Sequence, residues 1–318
     1  MIQIGTYVHG GGNIEEKIIA VKNAGFDFVA LGMSAFSDDN LEYQVELCQK
    51  YGLPIDNIHL TGGKTTEIWF EGELGDKVCA RYCREIKRAA AAGIKKGVAH
   101  ITWGHKEPGE VNEYGISRLT KMADCALENG FLLCLENSVF IEHLYATMEK
   151  LKDHPAVRFT YDSGHRNAFA HGLDLLGEFG DRLAALHIDD NDAAHDLHLM
   201  PFDGNIDWER DARALAKTEF ARTRICAETS YGAEKKIKDM SDEEIAAMVD
   251  ALPIAKNPEL FIIEDGIMKS YTSLSYADYM VRLHERLKRL ADLIKEGDVR
   301  MADYDRIRKA LFKLSESL

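Results

Sequence analysis

The chain lacks an excess of basic residues. Its 318 residues contain 39 Lys and Arg against 53 Asp and Glu, which gives a formal net charge of −14. A field of this sign repels nucleic-acid phosphates and anionic lipid, so binding to either would need a local basic face. The sequence shows no such face, and we expect neither nucleic acid nor a membrane as a partner.

Long apolar runs and redox motifs are also missing. No stretch reaches the roughly 18 apolar residues of a membrane span, and the N-terminus, MIQIGTYVHGGG, lacks the basic segment of a signal peptide. The six cysteines include no CxxC motif, and Cys79 and Cys83 are spaced like residues on two turns of one helix. We expect a cytoplasmic protein whose cysteines are reduced.

A phosphate-binding glycine loop is absent as well. The first predicted strand is followed by His9-Gly10-Gly11-Gly12, which does not have the GxGxxG spacing of a dinucleotide site. We therefore expect no nucleotide cofactor.

One pattern recurs along the chain: an amphipathic helix, a glycine and an apolar strand, as in VKNAGFDFVALGM and ALENGFLLCLENS. Gly25, Gly52, Gly93 and Gly130 stand where a helix ends in the left-handed conformation. Eight strands alternate with helical patterns, which favours a closed (β/α)₈ TIM barrel over an open doubly wound sheet. The predicted strands are Ile2–Tyr7, Phe26–Leu31, Asn57–Leu60, Gly97–Trp103, Phe131–Glu136, Val157–Asp162, Leu183–Ile188 and Arg224–Glu228.

Two segments exceed a minimal barrel. The barrel is predicted over residues 1–296 with an insertion at about 232–274, and a helical tail over 297–318 docks on the outside. The insertion contains a capped helix from Ser241 through Ala251. Because it leaves the C-terminal end of the eighth strand, it could form a lid over a site there, or serve as a packing or oligomer arm. The insertion and tail could also support a homo-oligomer.

Four residues end the last four predicted strands: Glu136, Asp162, His187 and Glu228. Each follows an apolar run, and an ionised carboxylate buried without a partner costs several kcal/mol. Singly, each could cap the next helix or be a satisfied core residue. Together, three carboxylates and an imidazole at one end of a barrel predict a site for one divalent cation.

These motifs carry a specific resemblance. Glu136 on the fifth strand, Asp162-Ser-Gly-His165 on the sixth, His187-Ile-Asp-Asp190 on the seventh and Glu228 on the eighth resemble the xylose isomerase-like TIM barrel superfamily. The resemblance covers about residues 1–293. It implies that Glu136, Asp162, His187 and Glu228 bind one metal ion, typically manganese, magnesium, cobalt or zinc.

The resemblance also implies an activity. Members include sugar and sugar-phosphate isomerases and epimerases, and in the epimerase branch the glutamates matching Glu136 and Glu228 act as the acid/base pair. This implies proton abstraction next to a metal-bound carbonyl of a sugar, sugar phosphate or polyol, through an enediolate. A lyase or dehydratase acting on inososes or keto-glycosides needs the same proton abstraction. A non-catalytic sugar-binding barrel that keeps the ligands for stability is the alternative of a different class.

Further residues are candidates for contact with the substrate. His165 matches a family position that binds substrate or a further metal, and Asp190 or its neighbour Asp189 could point inward. Some epimerases have an arginine after the seventh strand that holds a substrate hydroxyl. The stretch after His187 has no arginine, and Arg166 could take that role. The candidate substrate-binding residues are His165, His59, His100, Asp190, Trp103 and Lys64.

A zinc nuclease is the remaining alternative. In the apurinic endonucleases of this superfamily, an Asp-x-His after the seventh strand joins histidines of the third and fourth strand ends in a trinuclear cluster. Asp196 and His198, with His59 and His100, are the matching residues here and thus candidate extra metal ligands. The acidic charge and the lack of His-Pro-Gly after the fourth strand oppose this function.

Overall fold

A computed structural model describes residues 1–8, 12–33, 40–104 and 106–315, with side chains described up to residue 299. Eight parallel strands form one sheet in the order β7-β6-β5-β4-β3-β2-β1-β8. The strands are β1 (Gln3–Val8), β2 (Phe28–Gly32), β3 (Ile55–His59), β4 (Lys96–Ala99), β5 (Leu132–Glu136), β6 (Val157–Asp162), β7 (Leu183–His187) and β8 (Arg224–Ala227).

The sheet closes on itself between β7 and β8. Ile188 pairs with Ala227 in a parallel bridge. The Ile188 N–H donates to the Cys226 carbonyl at 2.9 Å, and the Glu228 N–H donates to the Ile188 carbonyl at 3.2 Å. The nearly closed parallel barrel confirms the predicted fold class.

Ten α-helices are present among the described residues, and all but the one that belongs to the insertion accompany the barrel strands. They are α1 (Ile14–Ala24), α2 (Leu41–Lys50), α3 (Glu73–Ala91), α4 (Glu113–Glu128), α5 (Ile141–Lys150), α6 (Ser163–Phe169), α7 (Leu175–Phe179), α8 (Trp208–Leu215), α9 (Asp242–Ala251) and α10 (Tyr276–Ser315). The four predicted helix-ending glycines have φ between 59° and 95°. No helix in the described part of the chain is long and apolar enough to cross a bilayer.

The fourth strand is shorter than predicted. It ends at Ala99, whereas the sequence predicted a strand as far as Trp103. The backbone beyond it bonds to the loop after β3: the Ile101 carbonyl accepts from Trp69 Nε1 at 2.7 Å, and the Trp103 N–H donates to Thr66 Oγ1 at 2.7 Å. Since these groups are already paired, they do not extend the ladder with β5.

The insertion forms a small domain-like layer. Its strands β9 (Ala233–Lys236), β10 (Phe261–Glu264) and β11 (Ile267–Ser270) make an antiparallel sheet in the order β10-β11-β9. The predicted capped helix is present as α9, with Ser241 and Glu244 in a capping box. The layer is tied to the loop after β7, because Tyr271 donates to the Asp203 carboxylate at 2.9 Å. The lid role stays a prediction.

The sequence predicted a separate tail helix, and this prediction was wrong. The last barrel helix continues without a break as α10 to Ser315. Gly297 does not end the helix but permits close packing on α8: a Cβ there would lie 3.2 Å from the Ala216 Cβ. Residues 316–318 and His9-Gly10-Gly11, part of the excluded dinucleotide loop, lie outside the described residues.

Residues facing the barrel interior alternate along each strand. Small apolar side chains, including Val98, Cys134, Ala185 and Cys226, are buried below the mouth. Two residues further along the same strands stand the polar side chains of the mouth. All six cysteines are free thiols, as predicted.

Candidate metal centre

The predicted metal quartet converges on one ring nitrogen. His187 Nδ1 lies 2.7 Å from Glu228 Oε2, 3.1 Å from Glu136 Oε1 and 3.7 Å from Asp162 Oδ2. Glu136, Asp162 and His187 are fully buried, and the Glu228 side chain is 12% exposed. Three carboxylates thus surround one imidazole nitrogen at the C-terminal end of the barrel.

Strand geometry explains this convergence. Glu136, Asp162 and His187 are the last residues of β5, β6 and β7, and Glu228 directly follows β8. Each stands two residues beyond an inward-facing side chain of its strand, so all four heads point to the barrel axis. Asp162 also caps α6, because its Oδ1 accepts from the His165 N–H at 2.5 Å.

Tyr7 orients His187, and the sequence analysis missed it. The Tyr7 hydroxyl donates to Asn57 Oδ1 at 2.6 Å and lies 3.1 Å from His187 Nε2. The Asn57 amide nitrogen donates to Asp56 Oδ2 at 2.9 Å, which fixes the orientation of the amide. Since the Tyr7 proton goes to Asn57, the Tyr7 oxygen accepts from Nε2–H. In the neutral ring, the lone pair of Nδ1 then faces the carboxylates, as a metal ligand requires.

Two histidines flank the quartet on the side of β3 and β4. His100 Nε2 lies 2.9 Å and His59 Nε2 lies 3.4 Å from Glu136 Oε2. The two Nε2 atoms are 3.3 Å apart. Glu136 therefore has His187 on one oxygen and two further imidazoles on the other.

A second polar group flanks the quartet on the side of β6 and β7. Asp196 Oδ2 lies 3.4 Å from His165 Nε2 and 3.2 Å from His198 Nε2. His198 Nδ1 lies 3.3 Å from Asp189 Oδ2. The other ring nitrogen of His165 is 3.1 Å from Glu136 Oε1, which connects this group to the centre.

The ligand atoms fall into three groups, each with atoms within 4.8 Å of one another. The groups are His59, Glu136, His187 and Glu228; Glu136, Asp162 and His165; and Asp189, Asp196 and His198. The quartet predicted from sequence is thus part of a larger ligand set.

Charges in the mouth perturb one another strongly. Burial raises the pKa of Glu136, but His100 and His187 outweigh burial and hold this pKa well below its usual range. Burial lowers the pKa of His187, while Glu228 and Glu136 raise it well above the usual value. Burial and the nearby Asp162 raise the pKa of Asp189 well above its ordinary value. Buried carboxylates in this number favour a bound cation.

The donor set fits a divalent cation. Both carboxylate oxygens of Glu136, Oδ2 of Asp162 and Oδ2 of Asp189 are buried without a hydrogen-bond donor in good geometry among the described residues. His187 Nδ1 is likewise buried without a hydrogen-bond partner in good geometry among the described residues. Carboxylate oxygens with an imidazole nitrogen are ligands that manganese, cobalt, zinc and magnesium accept to different degrees.

A cavity of about 410 Å³ opens above the quartet. Its lining includes Tyr7, His59, His100, Trp103, His165, Phe169, Asp196, His198 and Glu228. Trp103 is 46% exposed and stacks on His100, with 5.0 Å between ring centroids. Gly62 leaves room for this ring, since a Cβ there would lie 2.2 Å from Trp103. The cavity therefore combines an apolar ring face with polar groups.

Known proteins share this architecture. A family model for xylose isomerase-like TIM barrels matches residues 18–252, which is most of the chain. The chain belongs to the xylose isomerase-like TIM barrel family. A Sinorhizobium fredii protein, y4fM, is 44% identical over 87 residues, which is 28% of its length and 27% of this chain.

Solved structures of epimerases have the same fold. A D-allulose 3-epimerase from Methylomonas is 16% identical, with a TM-score of 0.66 over 91% of this chain and 98% of that one. An L-ribulose 3-epimerase is 16% identical, with a TM-score of 0.64 over 96% and 98%. A 3-keto-D-glucoside 4-epimerase from E. coli is 19% identical, with a TM-score of 0.56 over 78% and 99%.

Three residues suggested as substrate contacts lie elsewhere in this family member. Asp190 is buried, and its carboxylate accepts from Trp208 Nε1 at 2.7 Å and from the N–H groups of Phe202 and Ile206 at 3.0 and 3.1 Å. It organises the loop after β7, while Asp189 faces the mouth. Lys64 is exposed at the start of the Thr65–Trp69 turn and is not part of the described cavity lining. Arg166 lines a different cavity on the outside of the barrel.

Proposed function

We propose that this protein is a divalent-metal-dependent epimerase or isomerase of a small carbohydrate. The observation that carries the proposal is the buried cage in which oxygens of Glu136 and Glu228 lie within 4.8 Å of each other and of two imidazoles. The printed names of structural neighbours as sugar 3-epimerases and a keto-glucoside 4-epimerase support the substrate class.

Glu136, Asp162, His187 through Nδ1 and Glu228 would hold the cation. When bound, the cation supplies positive charge that stabilises an oxyanion developing on a substrate carbonyl. The protein fixes this donor set before binding, because Tyr7 orients His187 and α6 orients Asp162. Side chains that are already placed in a buried site need little reorganisation during the reaction.

Glu228 and Glu136 are the proposed proton-transfer groups. Glu228 lines the cavity, whereas the Glu136 side chain is fully buried beneath it. A substrate seated on Trp103 would therefore meet Glu228 directly, and Glu136 would receive or return the proton from the opposite side. Return on the other face of the same carbon gives an epimer, and return at the neighbouring carbon gives an isomer.

Two other outcomes use the same site. Expulsion of a group β to the carbonyl after proton removal would make the protein a lyase or dehydratase. A binding protein would hold the cation and a sugar without turnover. The lyase still exchanges a substrate proton with solvent, and the binding protein does not.

The test is isotope exchange in deuterated water. The protein, loaded with each divalent cation in turn, is incubated with a panel of ketoses, inososes and 3-keto-glycosides and followed by NMR. We expect deuterium at one carbon next to a carbonyl, with appearance of an epimer or isomer. An eliminated product would identify the lyase, and a panel without label would contradict proton-transfer catalysis.

A metal-dependent phosphoester hydrolase is the second candidate. The observation that favours it is the pair of flanking groups, His59 with His100 and Asp196 with His198, which extend the ligand set to three clusters. These residues would hold more than one cation, which would supply positive charge for a phosphate and for an attacking water. Three equivalents of metal together with hydrolysis of a phosphodiester would support it. One equivalent and no hydrolysis would exclude it.

A further inference from the structure

A second large cavity lies on the outer surface of the barrel, away from the mouth. It has a volume of about 490 Å³ and lies between the segment around α7, the helix α8 and Gly297 of α10. The gap exists because α7 spans only Leu175–Phe179 and does not cover the neighbouring helix along its length. None of the described residues of the metal quartet lines it.

Positive charge is concentrated at this cavity. Arg166, Arg210, Arg213 and Lys217 line it, against the acidic residues Asp174 and Asp211. The excess of cations contrasts with the net charge of −14 of the whole chain. Asp174 caps α7 by accepting from the Gly177 N–H at 3.0 Å. A local excess of this sign attracts small anions.

Arg166 is the central group. Its side chain is only 14% exposed, and its closest carboxylate contact is Asp211 Oδ1 at 4.0 Å. That oxygen already accepts from Arg210 Nε at 2.8 Å. A guanidinium carries five N–H donors, and burial without acceptors is unfavourable. Arg166 therefore has donors available for an acceptor with several oxygens.

We propose that this outer cavity binds a small phosphate monoester. Arg166 would hold the phosphate oxygens at the base, and the more exposed Arg210, Arg213 and Lys217 would do so at the rim. Arginine donors match the oxygens of a phosphate group in a fork geometry. The apolar side chains of Leu173, Leu175, Leu176 and Ala214 complete the wall.

The remaining lining indicates that the ligand has more than a phosphate. Asp211 Oδ2 is buried without a hydrogen-bond partner among the described residues, and the buried ring of Tyr161 is beside it in the lining. A hydroxyl group on the ligand would give Asp211 a donor after a small rotamer change. A phosphorylated sugar has both the phosphate and such hydroxyls, so it fits better than inorganic phosphate.

The experiment compares two charge-matched double variants by isothermal titration at constant ionic strength. Arg213→Gln with Lys217→Gln removes two exposed rim cations and leaves the mostly buried Arg166 intact. Arg84→Gln with Lys121→Gln removes two exposed cations from α3 and α4. Neither helix lines this cavity. The probes are glucose 6-phosphate, inorganic phosphate and glucose.

We expect glucose 6-phosphate to bind the wild type more tightly than inorganic phosphate, with no binding of glucose at the same site. The rim variant should weaken glucose 6-phosphate binding about fivefold or more, from the loss of two ion pairs. The control variant should bind like the wild type. Equal affinities of the two double variants, or absence of phosphate-ester binding to the wild type, would overturn the proposal. Tighter binding of inorganic phosphate than of glucose 6-phosphate would overturn the claim that the cavity prefers a phosphate ester.

Discussion

The two ends of the barrel both bury charge, but they balance it differently. At the N-terminal end, Asp56 is matched by Lys96 at 2.9 Å and by a close contact with Arg224. Lys96 also donates to the Ala184 carbonyl at 2.6 Å. At the C-terminal mouth, the side-chain partners of Glu136, Asp162 and Glu228 among the described residues are histidines.

This difference separates stability from function. The buried carboxylate at the N-terminal end is paired with two cations, so these pairs stabilise the fold and need no ligand. The mouth contains an excess of buried acid whose oxygens lack good donors, which is unfavourable for folding without a cation. Residues that violate local balance in this way are expected at functional sites.

The largest effect is expected from Glu228→Gln. The amide keeps the size of the side chain but cannot accept a proton, so the rate of deuterium exchange into substrate should fall by about 10²–10⁴-fold. The melting temperature should stay close to that of the wild type, because the change removes one of several mutually repelling carboxylates. Exchange at the wild-type rate would remove Glu228 from proton transfer.

Asp56→Asn tests the opposite end of the barrel. It leaves Lys96 and Arg224 without their carboxylate, and we expect the free energy of unfolding to fall by about 3 kcal/mol. Urea denaturation measures this loss. Among the described residues, Asp56 reaches the mouth only through Asn57 and Tyr7, so metal affinity should fall much less than in Asp162→Asn. An equal loss of metal binding in the two variants would contradict the separation of the two ends.

Tyr7→Phe tests how the mouth is organised. Without the hydroxyl, His187 loses the acceptor that fixes its Nε2–H form, so metal affinity should fall about 10–100-fold. Tyr279→Phe is the matched control, since it removes another buried hydroxyl, which donates to Thr229 at 2.7 Å. Competition with a chromophoric chelator measures both. Equal affinities of the two variants would show that Tyr7 does not orient the ligand.

A rise in pH should lower the stability of the metal-free protein and increase its affinity for metal. The pKa of His187 is raised by Glu228 and Glu136, so its imidazolium stabilises the metal-free protein below the unfolded pKa. This contribution is lost as pH rises through the folded pKa. Metal binds the neutral imidazole. Below the folded pKa, the metal affinity should therefore increase by up to about tenfold for each unit by which the pH rises. A metal affinity independent of pH between 5 and 8 would contradict protonation of the cage.

The sequence predicted the barrel and the quartet because both depend on local pattern. An apolar run that ends in an acid or histidine places Glu136, Asp162 and His187 at strand ends, and parallel strands bring those ends together. The sequence did not predict the contact of Tyr7 with His187, which joins β1 and β7 across the barrel. Side chains alternate between the two faces of a strand, and the sequence alone does not show which residues face the barrel interior.

The same limit explains the errors near the mouth. Asp189 and Asp190 are adjacent, and adjacent side chains of an extended backbone point to opposite sides. Asp189 therefore faces His198, while Asp190 accepts hydrogen bonds from the loop after β7. The early end of β4 depends on Trp69, 32 residues before the Ile101 carbonyl that it contacts. A separate tail helix was predicted to begin at Gly297, but Gly297 lies inside α10, where its missing side chain allows close packing on α8.

The most direct test of the central claim is a metal titration of the chelator-treated wild type beside Asp162→Asn and Asp56→Asn. The account predicts tight binding of a divalent cation to the wild type and a strong loss of affinity in Asp162→Asn, much larger than any loss in Asp56→Asn. Absence of tight binding to the wild type, or equal binding to Asp162→Asn, would contradict a metal centre built from the four strand-end residues.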